Sequence, residues 1–223
     1  EKPKIVEITR SVEEAEGIKS IILPYSLNAK PGQFAMIWLP GVDAKPIAVS
    51  YQDINSFGVT VAAVGSWSKK VCEMKAGELL GVMGPYGNSF NLEGRNIVMI
   101  GGGYGAATLM LLAEKALKEK INATMIIGAK SKDFIIYRDS VKQLGLKTIF
   151  TTDDGSFGEK GFATDVLQQV LKKEKIDCVI VDLGLPDMSG FELLEKIKES
   201  DALNKIPIIV YTGKELSKED TAR

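Results

Sequence analysis

A single strand-to-helix turn decides the fold of this chain: Asn96-Ile97-Val98-Met99-Ile100-Gly101-Gly102-Gly103-Tyr104-Gly105-Ala106. Its first five residues are a continuous apolar run, which predicts a buried strand, and a helical pattern follows. The turn satisfies G-x-G-x-x-A from Gly101. Glycines at such a turn let the backbone approach a pyrophosphate, whose charge meets the positive end of the next helix. The turn therefore predicts a nucleotide site, with a flexible strand–helix loop as the alternative.

On the carboxyl side of this turn, helical and strand patterns alternate. Such an alternation predicts a doubly wound parallel sheet with helices on both faces. The predicted strands are Asn96–Ile100, Ala123–Ile127, Leu146–Thr151, Cys178–Asp182 and Ile208–Thr212, and the predicted helices are Ala106–Lys118, Tyr137–Leu144, Phe162–Lys173 and Phe191–Lys198.

On the amino side, short β-rich runs are separated by turn signals, which predicts a small antiparallel barrel. Residues 66–74 have no β alternation and predict one short helix. We expect a barrel domain over residues 1–93, an α/β domain over 94–177 and a β-α-β segment over 178–223 that completes the same sheet. The predicted barrel strands are Ile5–Thr9, Ile18–Leu23, Gln33–Leu39, Ile47–Tyr51, Val59–Val64 and Leu79–Met83.

The composition excludes several classes of function. Among the 223 residues, 28 basic side chains against 29 acidic ones provide no positive excess to attract nucleic acid or an anionic membrane. No apolar run of membrane-spanning length and no signal-peptide pattern is visible, so we expect a cytoplasmic protein. The chain has no histidine, and its two cysteines, Cys72 and Cys178, lie far apart, so zinc and iron–sulfur sites lack ligands. The chemistry therefore falls to a cofactor that carries its own reactive atoms.

Three further motifs accompany the glycine turn: Lys30-Pro31-Gly32-Gln33-Phe34, Lys45-Pro46-Ile47-Ala48-Val49-Ser50 and Gly84-Pro85-Tyr86-Gly87-Asn88-Ser89-Phe90. In this order the four motifs resemble the ferredoxin reductase superfamily, and within it the electron-transfer subunits of NAD-dependent dihydroorotate dehydrogenase, over residues 1–178. The resemblance implies a flavoprotein with an FAD-binding barrel and an NAD(P)-binding domain. It also implies an oxidoreductase that passes electrons from NAD(P)H through FAD to a partner protein, in pyrimidine biosynthesis. The implied partner is a catalytic subunit of the dihydroorotate dehydrogenase or hydrogenase type.

The same resemblance assigns cofactor-binding residues to the barrel. In the family an R-P-x-S-[IL] segment lies along the flavin and its ribityl-phosphate. Here Lys45 takes the place of the arginine, so the positive charge is kept but the planar guanidinium, which can bind a phosphate through two hydrogen bonds, is lost. Ala48 takes the place of the serine. We expect both changes to weaken FAD binding. The helix start after Gly65 resembles the family's second flavin-phosphate site, with a solvated helix start as the alternative. The assigned residues are Lys45, Pro46, Ile47, Val49, Ser50, Gly65, Ser68, Lys69, Gly87 and Asn88.

Nicotinamide-nucleotide residues are expected where strands of the α/β domain end. The segment Thr151-Thr152-Asp153-Asp154-Gly155-Ser156 resembles the family at such an end, although its acids are alternatively N-cap or turn residues. The acidic ribose ligand expected about 20 residues after the turn is missing. Lys130 or Lys132 is available there for a 2′-phosphate, or is simply solvated, so NAD and NADP both stay open. The expected residues are Gly101, Gly102, Gly103, Gly105, Asp153 and Asp154.

Near residue 178 this resemblance stops, where the family has a nicotinamide-side turn and then a cysteine cluster that holds a [2Fe–2S] centre. Residues 179–190 and 207–213 instead resemble the third and fourth strands of a response-regulator receiver domain, in which Asp182 would be the phospho-acceptor and Thr212 its sensor. A receiver also needs acids on the strand beside Asp182. The expected neighbour, Asn96–Ile100, ends in glycines, and Asp153 and Asp154 lie two strands further off, roughly 10 Å or more. We therefore do not expect phosphotransfer.

Three functions follow from these patterns. The first is flavin-dependent electron transfer from NAD(P)H, reduced to residual diaphorase-like activity because the iron–sulfur segment is missing, with residues 178–223 as a natural or engineered graft. The second is a phospho-receiver signalling module with Asp182 as its acceptor. The third is an inactive chimaeric scaffold.

Overall fold

The computed structural model describes residues 2–89, 92, 94–182, 195 and 205–211. The predicted helix Phe191–Lys198, apart from Glu195, lies outside these residues, as do Thr212 and the receiver-like loop at 183–190. The chain divides into two compact units. One consists of Glu1–Asn91 with Ala107–Lys115, and the other of Leu92–Ala106 with Ala116–Arg223.

The first unit contains a seven-stranded antiparallel sheet, one short helix between its strands, and residues 107–115 of a later helix. The strands follow the spatial order β1-β7-β4-β5-β6-β3-β2. They are β1 (Lys4–Glu7), β2 (Arg10–Ala15), β3 (Ile18–Leu23), β4 (Phe34–Leu39), β5 (Asp43–Gln52), β6 (Phe57–Ala62) and β7 (Leu79–Tyr86), with helix α1 (Ser66–Glu73) between β6 and β7.

One hydrophobic cluster fills this sheet. It collects inward-facing side chains from both ends of the strand order, including Val6 of β1 and Ile21 of β3, so the sheet wraps around it as a barrel does. Trp67 and Val71 of α1 and Leu111 from the segment 107–115 close the same cluster. The antiparallel barrel and its single helix are confirmed.

The second unit contains a six-stranded parallel sheet in the order β11-β10-β9-β8-β12-β13. Its strands are β8 (Asn96–Gly102), β9 (Asn122–Ala129), β10 (Lys147–Thr152), β11 (Glu159–Lys160), β12 (Cys178–Asp182) and β13 (Ile208–Tyr211). The helices that connect them along the chain are α2 (Ala107–Lys118), whose residues 107–115 belong to the first unit, α3 (Arg138–Leu144) and α4 (Ala163–Lys173).

The strand order of this sheet reverses at β8. From β8 the chain adds β9 and β10 on one side and then returns to place β12 on the other, where Cys178 pairs with Ile97 and Val181 with Ile100. β13 pairs with β12 in turn. This is the doubly wound architecture predicted from the alternation, and it puts a topological switch point between the carboxyl ends of β8 and β12, where ligands bind in such sheets.

Among the described residues, no helix is long and apolar enough to cross a membrane.

Candidate nucleotide-binding sites

Lys45 lies near the start of β5 and is held by a carboxylate of the same strand. Its Nζ lies 2.6 Å from Oδ2 of Asp43, and both side chains are about half exposed. The hydrogen bond from Lys45 lowers the pKa of the Asp43 carboxyl, and a backbone hydrogen bond from Ala44 adds to the shift. The ammonium group of Lys45, which we expected to bind a phosphate, thus lies at the surface, but the Asp43 carboxylate partly neutralises its charge.

The start of α1 is joined to the same place on β5. Nε1 of Trp67 donates to the backbone carbonyl of Asp43 at 3.0 Å, so the helix start and Lys45 both contact Asp43. The Ser68 hydroxyl closes the helix start on itself, because it accepts from Gly65 N at 2.9 Å and donates to Gly65 O at 3.1 Å. What this turn offers a ligand is therefore its backbone N–H groups and the exposed Lys69, rather than the Ser68 hydroxyl.

Val49 and Ser50 are consecutive residues of β5, yet both are buried. The register between β5 and β6 shifts between Val49 and Tyr51, and a bulge of this kind turns successive side chains to the same side. Ser50 Oγ donates to Gly58 O at 3.3 Å and lies 3.1 Å from Thr60 Oγ1, which in turn lies 2.8 Å from Ser20 Oγ. The Ser50 hydroxyl is thus used inside the barrel.

Gly87 and Asn88 are exposed after the end of β7. Gly87 has φ +83°, and a side chain there would press on the ring of Phe34. Gln33 fixes this turn, since its Nε2 donates to Gly87 O at 2.9 Å while its Oε1 accepts from Lys30 N at 2.9 Å. Sequence reasoning missed Gln33 as a positioning residue, although it lies inside the motif Lys30–Phe34 that was singled out.

The barrel candidates therefore form two groups along β5. The first group consists of Lys45 and the start of α1. The second group consists of Val49 and the Gly87 turn, which are joined through Gln33 because Val49 N donates to Gln33 O at 3.2 Å. Four residues of strand separate the groups by about 13 Å. Pro46 is exposed and Ile47 is half-buried between them, so this stretch offers an elongated surface with a cation at one end.

The glycine turn of the second unit begins inside the sheet and ends in the open. Gly101 and Gly102 are buried at the end of β8, and Gly103 starts a short 3-10 helix over Gly103–Ala106. Gly103 has φ +50°, and a Cβ there would meet no atom within 4 Å. Tyr104 beside it is 51% exposed. The backbone at Gly103 is thus open to close approach by a ligand, as the motif requires.

Gly105 faces a different environment. A Cβ at this position would overlap the Oδ2 and Cγ atoms of Asp182, the last residue of β12. Asp182 is 4% exposed. The prediction that β8 neighbours the strand of Asp182 is confirmed, and the close approach of its carboxylate to the glycine turn was not foreseen.

Asp153 and Asp154 follow β10 at the same edge of the sheet. The Asp154 carboxylate accepts from Ser156 N at 2.9 Å and from Ser156 Oγ at 2.6 Å, and these bonds lower its pKa. Ser156 Oγ also accepts from Lys132 N at 2.8 Å. Asp154 thus organises its own loop. Asp153 is half-buried, and its N–H donates to Ala129 O at 3.1 Å.

Strands β9 and β8 separate the end of β10 from Asp182. The turn glycines and Asp182 therefore lie together at the switch point, whereas Asp153 and Asp154 lie two strands further along, roughly 10 Å away. Glycines, not acids, end the strand beside Asp182, so the carboxylate pair that a receiver uses for Mg²⁺ is missing from that position.

The described architecture is that of the ferredoxin-reductase class, an antiparallel barrel with a doubly wound nucleotide-binding sheet. It is similar over 96% of the chain, with a TM-score of 0.80 and 28% identity, to the solved structure of an NADH-dependent reduced ferredoxin–NADP oxidoreductase associated with flavin-based electron bifurcation, of which 78% is covered. Within this class, the chain belongs to the family of electron-transfer subunits of dihydroorotate dehydrogenase B (NAD⁺).

Two curated relatives show this membership. The probable electron-transfer subunit of Methanocaldococcus jannaschii is 43% identical over 180 residues, which are 81% of this chain and 68% of the relative. That of Methanothermobacter thermautotrophicus is 34% identical over 213 residues, 94% of this chain and 78% of the relative. The second alignment reaches well past Cys178, so the similarity to the family includes most of the segment that follows.

A second similarity covers the carboxyl-terminal part. The family model of the response regulator receiver domain matches residues 134–222, less than half of the chain. The resemblance of the last segment to a receiver is thereby confirmed, and the match starts earlier than the expected residue 178. The strand order explains why this does not favour a receiver function: β10 lies inside the match, yet β9 and β8 separate it from β12.

Proposed function

We propose that this chain binds FAD on its barrel unit and NAD(P)H on its parallel-sheet unit, and that it passes electrons from the nicotinamide nucleotide to a partner protein. One observation carries the proposal. At the switch point of a doubly wound sheet, a glycine turn presents open backbone at Gly103, in a chain whose relatives are electron-transfer subunits.

The barrel residues fit the two ends of an elongated dinucleotide. Lys45 and Lys69 are exposed cations near the contact between Asp43 and Trp67, where they suit phosphate oxygens together with the N–H groups of the α1 start. The Gly87 turn, held by Gln33, and the bulged strand at Val49 form the other end. Pro46, Ile47, Gly65 and Asn88 lie on or beside this surface, and Ser50 and Ser68 act by shaping it from within.

The sheet residues fit a pyridine dinucleotide. Gly101 and Gly102 place no side chains at the end of β8, and Gly103 lets a pyrophosphate approach the backbone closely. Asp153 lies on the same carboxyl edge, two strands away, at a distance suited to a more remote part of the nucleotide. When bound together, the two cofactors supply hydride transfer from the nicotinamide to the flavin. The protein contributes position, charge and exclusion of water.

The partner we propose is a catalytic subunit of the dihydroorotate dehydrogenase type, because the relatives are electron-transfer subunits of that enzyme. A hydrogenase-type subunit is the second candidate. We further propose that this sequence holds no iron–sulfur cluster, since its only cysteines, Cys72 and Cys178, are both buried and belong to different units. Activity with a small soluble acceptor measures the release of electrons from the flavin.

The test is an FAD titration of the purified chain, followed by flavin fluorescence and the visible spectrum, and then anaerobic addition of NADH or NADPH. We expect saturable FAD binding and loss of the oxidised flavin band with one of the two nucleotides. A protein that stays colourless after reconstitution, with no change in flavin fluorescence, would contradict the proposal.

Matched lysine variants sharpen the assignment of the barrel site. Lys69→Ala is expected to weaken FAD binding about threefold to tenfold, because it removes a charged donor from a phosphate. Lys70→Ala removes the same charge one residue later on α1 and should leave the Kd unchanged. Lys45→Arg should tighten FAD binding, since it restores the planar fork. Equal losses from Lys69→Ala and Lys70→Ala would move the phosphate away from this helix.

A further inference from the structure

A folded loop joins β10 to β11 at the carboxyl edge of the parallel sheet. The two strands are parallel, with Thr152 opposite Lys160, so residues 153–158 must carry the chain back to the start of β11. Thr152 holds the loop closed, because its Oγ1 donates to Phe157 O at 2.8 Å and accepts from Phe157 N at 3.1 Å. The shape of the loop therefore depends on where Phe157 lies.

The ring of Phe157 contacts two other side chains. Its centroid is 5.4 Å from that of Phe150 of β10, with the ring planes at 62°, which is close to the edge-to-face arrangement that aromatic rings prefer. The guanidinium carbon of Arg138 lies over the same ring, 3.9 Å from its centroid. Arg138 is exposed and Phe157 is half-buried, so a cation–π attraction holds the ring at the surface of the sheet unit.

Helix α3 alone gives no reason for a cation at this position. Arg138 is the first residue of α3, where the positive end of the helix dipole favours acidic side chains and disfavours basic ones. A guanidinium stacks well on an aromatic face because it is planar and weakly hydrated. The contact with Phe157 thus provides the reason that the helix does not.

The contact reaches the acids of the loop through Ser156. Ser156 directly precedes Phe157, and its N–H and hydroxyl both donate to the Asp154 carboxylate, at 2.9 and 2.6 Å. Its Oγ also accepts from Lys132 N at 2.8 Å, which ties the loop to the segment after β9. Asp154 is exposed, and an ionised carboxylate has about four lone-pair positions, so it can accept a further hydrogen bond from a ligand hydroxyl.

We propose that Arg138 is a positioning residue for nucleotide binding. Through Phe157 it holds the loop 153–158 in the shape that presents Asp153 and Asp154 to the hydroxyl groups of a nucleotide ribose, which carboxylates bind in doubly wound sheets. The inference rests on the proposed function, because it concerns the NAD(P)H site of the sheet unit. Arg138 acts on the loop and not on the nucleotide itself, so its effect requires the ring of Phe157.

The experiment is a double-mutant cycle on the Kd of NADH or NADPH, whichever the wild type binds more tightly, measured by isothermal titration of the full chain. Arg138→Ala should raise this Kd about twofold to fivefold, since it removes the cation–π contact. Arg138→Lys keeps a cation and should restore part of the affinity. Phe157→Leu should raise the Kd at least as much as Arg138→Ala, and combining the two substitutions should raise it no further.

Two controls accompany the cycle. Lys142→Ala removes another exposed cation of α3 and should leave the nucleotide Kd unchanged. The Kd of FAD should be unchanged in every variant, because the proposed FAD residues belong to the other unit. Circular dichroism sets a temperature at which all variants are folded, where a purely structural role of Arg138 would leave the nucleotide Kd unaffected. Phe157→Met replaces Phe157→Leu in the cycle if the latter unfolds.

Each contrary result has its own meaning. An unchanged Kd for Arg138→Ala, while the wild-type chain binds the nucleotide, would overturn the inference and leave the proposed function standing. Equal losses from Arg138→Ala in the wild-type and Phe157→Leu backgrounds would also overturn it, because Arg138 would then attract the nucleotide through its own charge. A loss of the same size for Lys142→Ala would overturn it as well, since any cation of α3 would then have the effect. Absence of nucleotide binding in the wild type would overturn the proposed function, and the inference with it.

Discussion

Asp177 directly precedes strand β12 and Asp182 ends it, and each aspartate lies against a glycine that flanks the neighbouring strand β8. At the amino end, a Cβ on Gly94 would overlap the side chain of Asp177; at the carboxyl end, a Cβ on Gly105 would overlap that of Asp182. Both arrangements place an aspartate side chain where a glycine leaves room for it. They differ in solvation and in what surrounds them.

The Asp177 carboxylate joins the start of β12 to the start of β8 by hydrogen bonds. Its Oδ2 accepts from Arg95 N at 2.8 Å and from Asn96 N at 3.0 Å, and these backbone hydrogen bonds lower its pKa. Asp182 is buried at the opposite edge of the sheet, against the turn that we assign to the nucleotide. The comparison teaches that an aspartate against a glycine joins two strands by hydrogen bonds at one edge of the sheet, and lies buried beside the proposed nucleotide turn at the other.

The largest effect should come from placing a methyl group between Asp182 and the turn. Gly105→Ala is expected to lower the free energy of unfolding of the sheet unit by about 2 kcal/mol, because the new Cβ overlaps the carboxylate. Thermal unfolding followed by circular dichroism measures the loss. In the background of Asp182→Ala the same substitution should cost clearly less, and an undiminished cost there would show that the two positions are not in contact.

A smaller effect is expected at the amino end. Asp177→Ala leaves the N–H groups of Arg95 and Asn96 without their carboxylate acceptor, but this site is only half-buried, so water replaces the lost partner in part. The melting temperature should fall less than for Gly105→Ala, and Asp177→Asn should fall less still, since its amide oxygen accepts as well. A loss for Asp177→Ala larger than that for Gly105→Ala would reverse the ranking of the two ends.

The pH dependence of stability tests whether the charge of Asp177 contributes to it. The folded-state pKa of Asp177 is depressed, so its stabilisation is present above its unfolded value of about 3.9 and is lost as pH falls through the folded-state pKa. We expect the difference in melting temperature between the wild type and Asp177→Asn to shrink as pH falls below about 4. A difference that stays constant down to pH 2.5 would mean that the charge of Asp177 contributes nothing.

The smallest effect should come from an ion pair at the exposed surface of the sheet unit. Lys147 and Glu174 lie 2.7 Å apart, but 51% and 37% of their side chains are exposed. Solvent screens such a pair, so Lys147→Ala should change the free energy of unfolding by no more than about 0.5 kcal/mol. Chemical denaturation of Lys147→Ala, Glu174→Ala and the double variant measures the coupling, and a value well above this limit would make charge pairing as important as the hydrogen bonds of Asp177.

Much of the fold was predictable because the decisive signals are periodic. The alternation of apolar strands and helices predicted the parallel sheet, and the winding rule then placed β8 beside β12. The sequence missed β2 and β11. β2 is an edge strand whose residues Arg10, Glu13 and Glu14 lack β propensity, and it forms through backbone pairing with β3. β11 has only two residues, and backbone pairing with β10 defines it.

The candidate sites were predictable to a smaller degree. Motifs located the glycine turn and β5, because their chemistry is local in sequence. That the Ser68 hydroxyl caps its own helix, or that Asp182 lies against Gly105, depends on side-chain packing between elements distant in sequence, and no spacing rule encodes it. Gln33 was missed for the same reason, since its partner Gly87 lies 54 residues away.

The hydroxyl groups of Ser20, Thr60 and Ser50 join three neighbouring strands, β3, β6 and β5, inside the barrel. The carbonyl of Gly58 can only accept, so the proton of Ser50 points to it. The Thr60 hydroxyl lies 3.1 Å from that of Ser50 and 2.8 Å from that of Ser20, and either oxygen of each pair can be the donor. Three uncharged side chains thus give one another hydrogen-bond partners inside the barrel, and the bulge at Ser50 is what brings the third hydroxyl into the row.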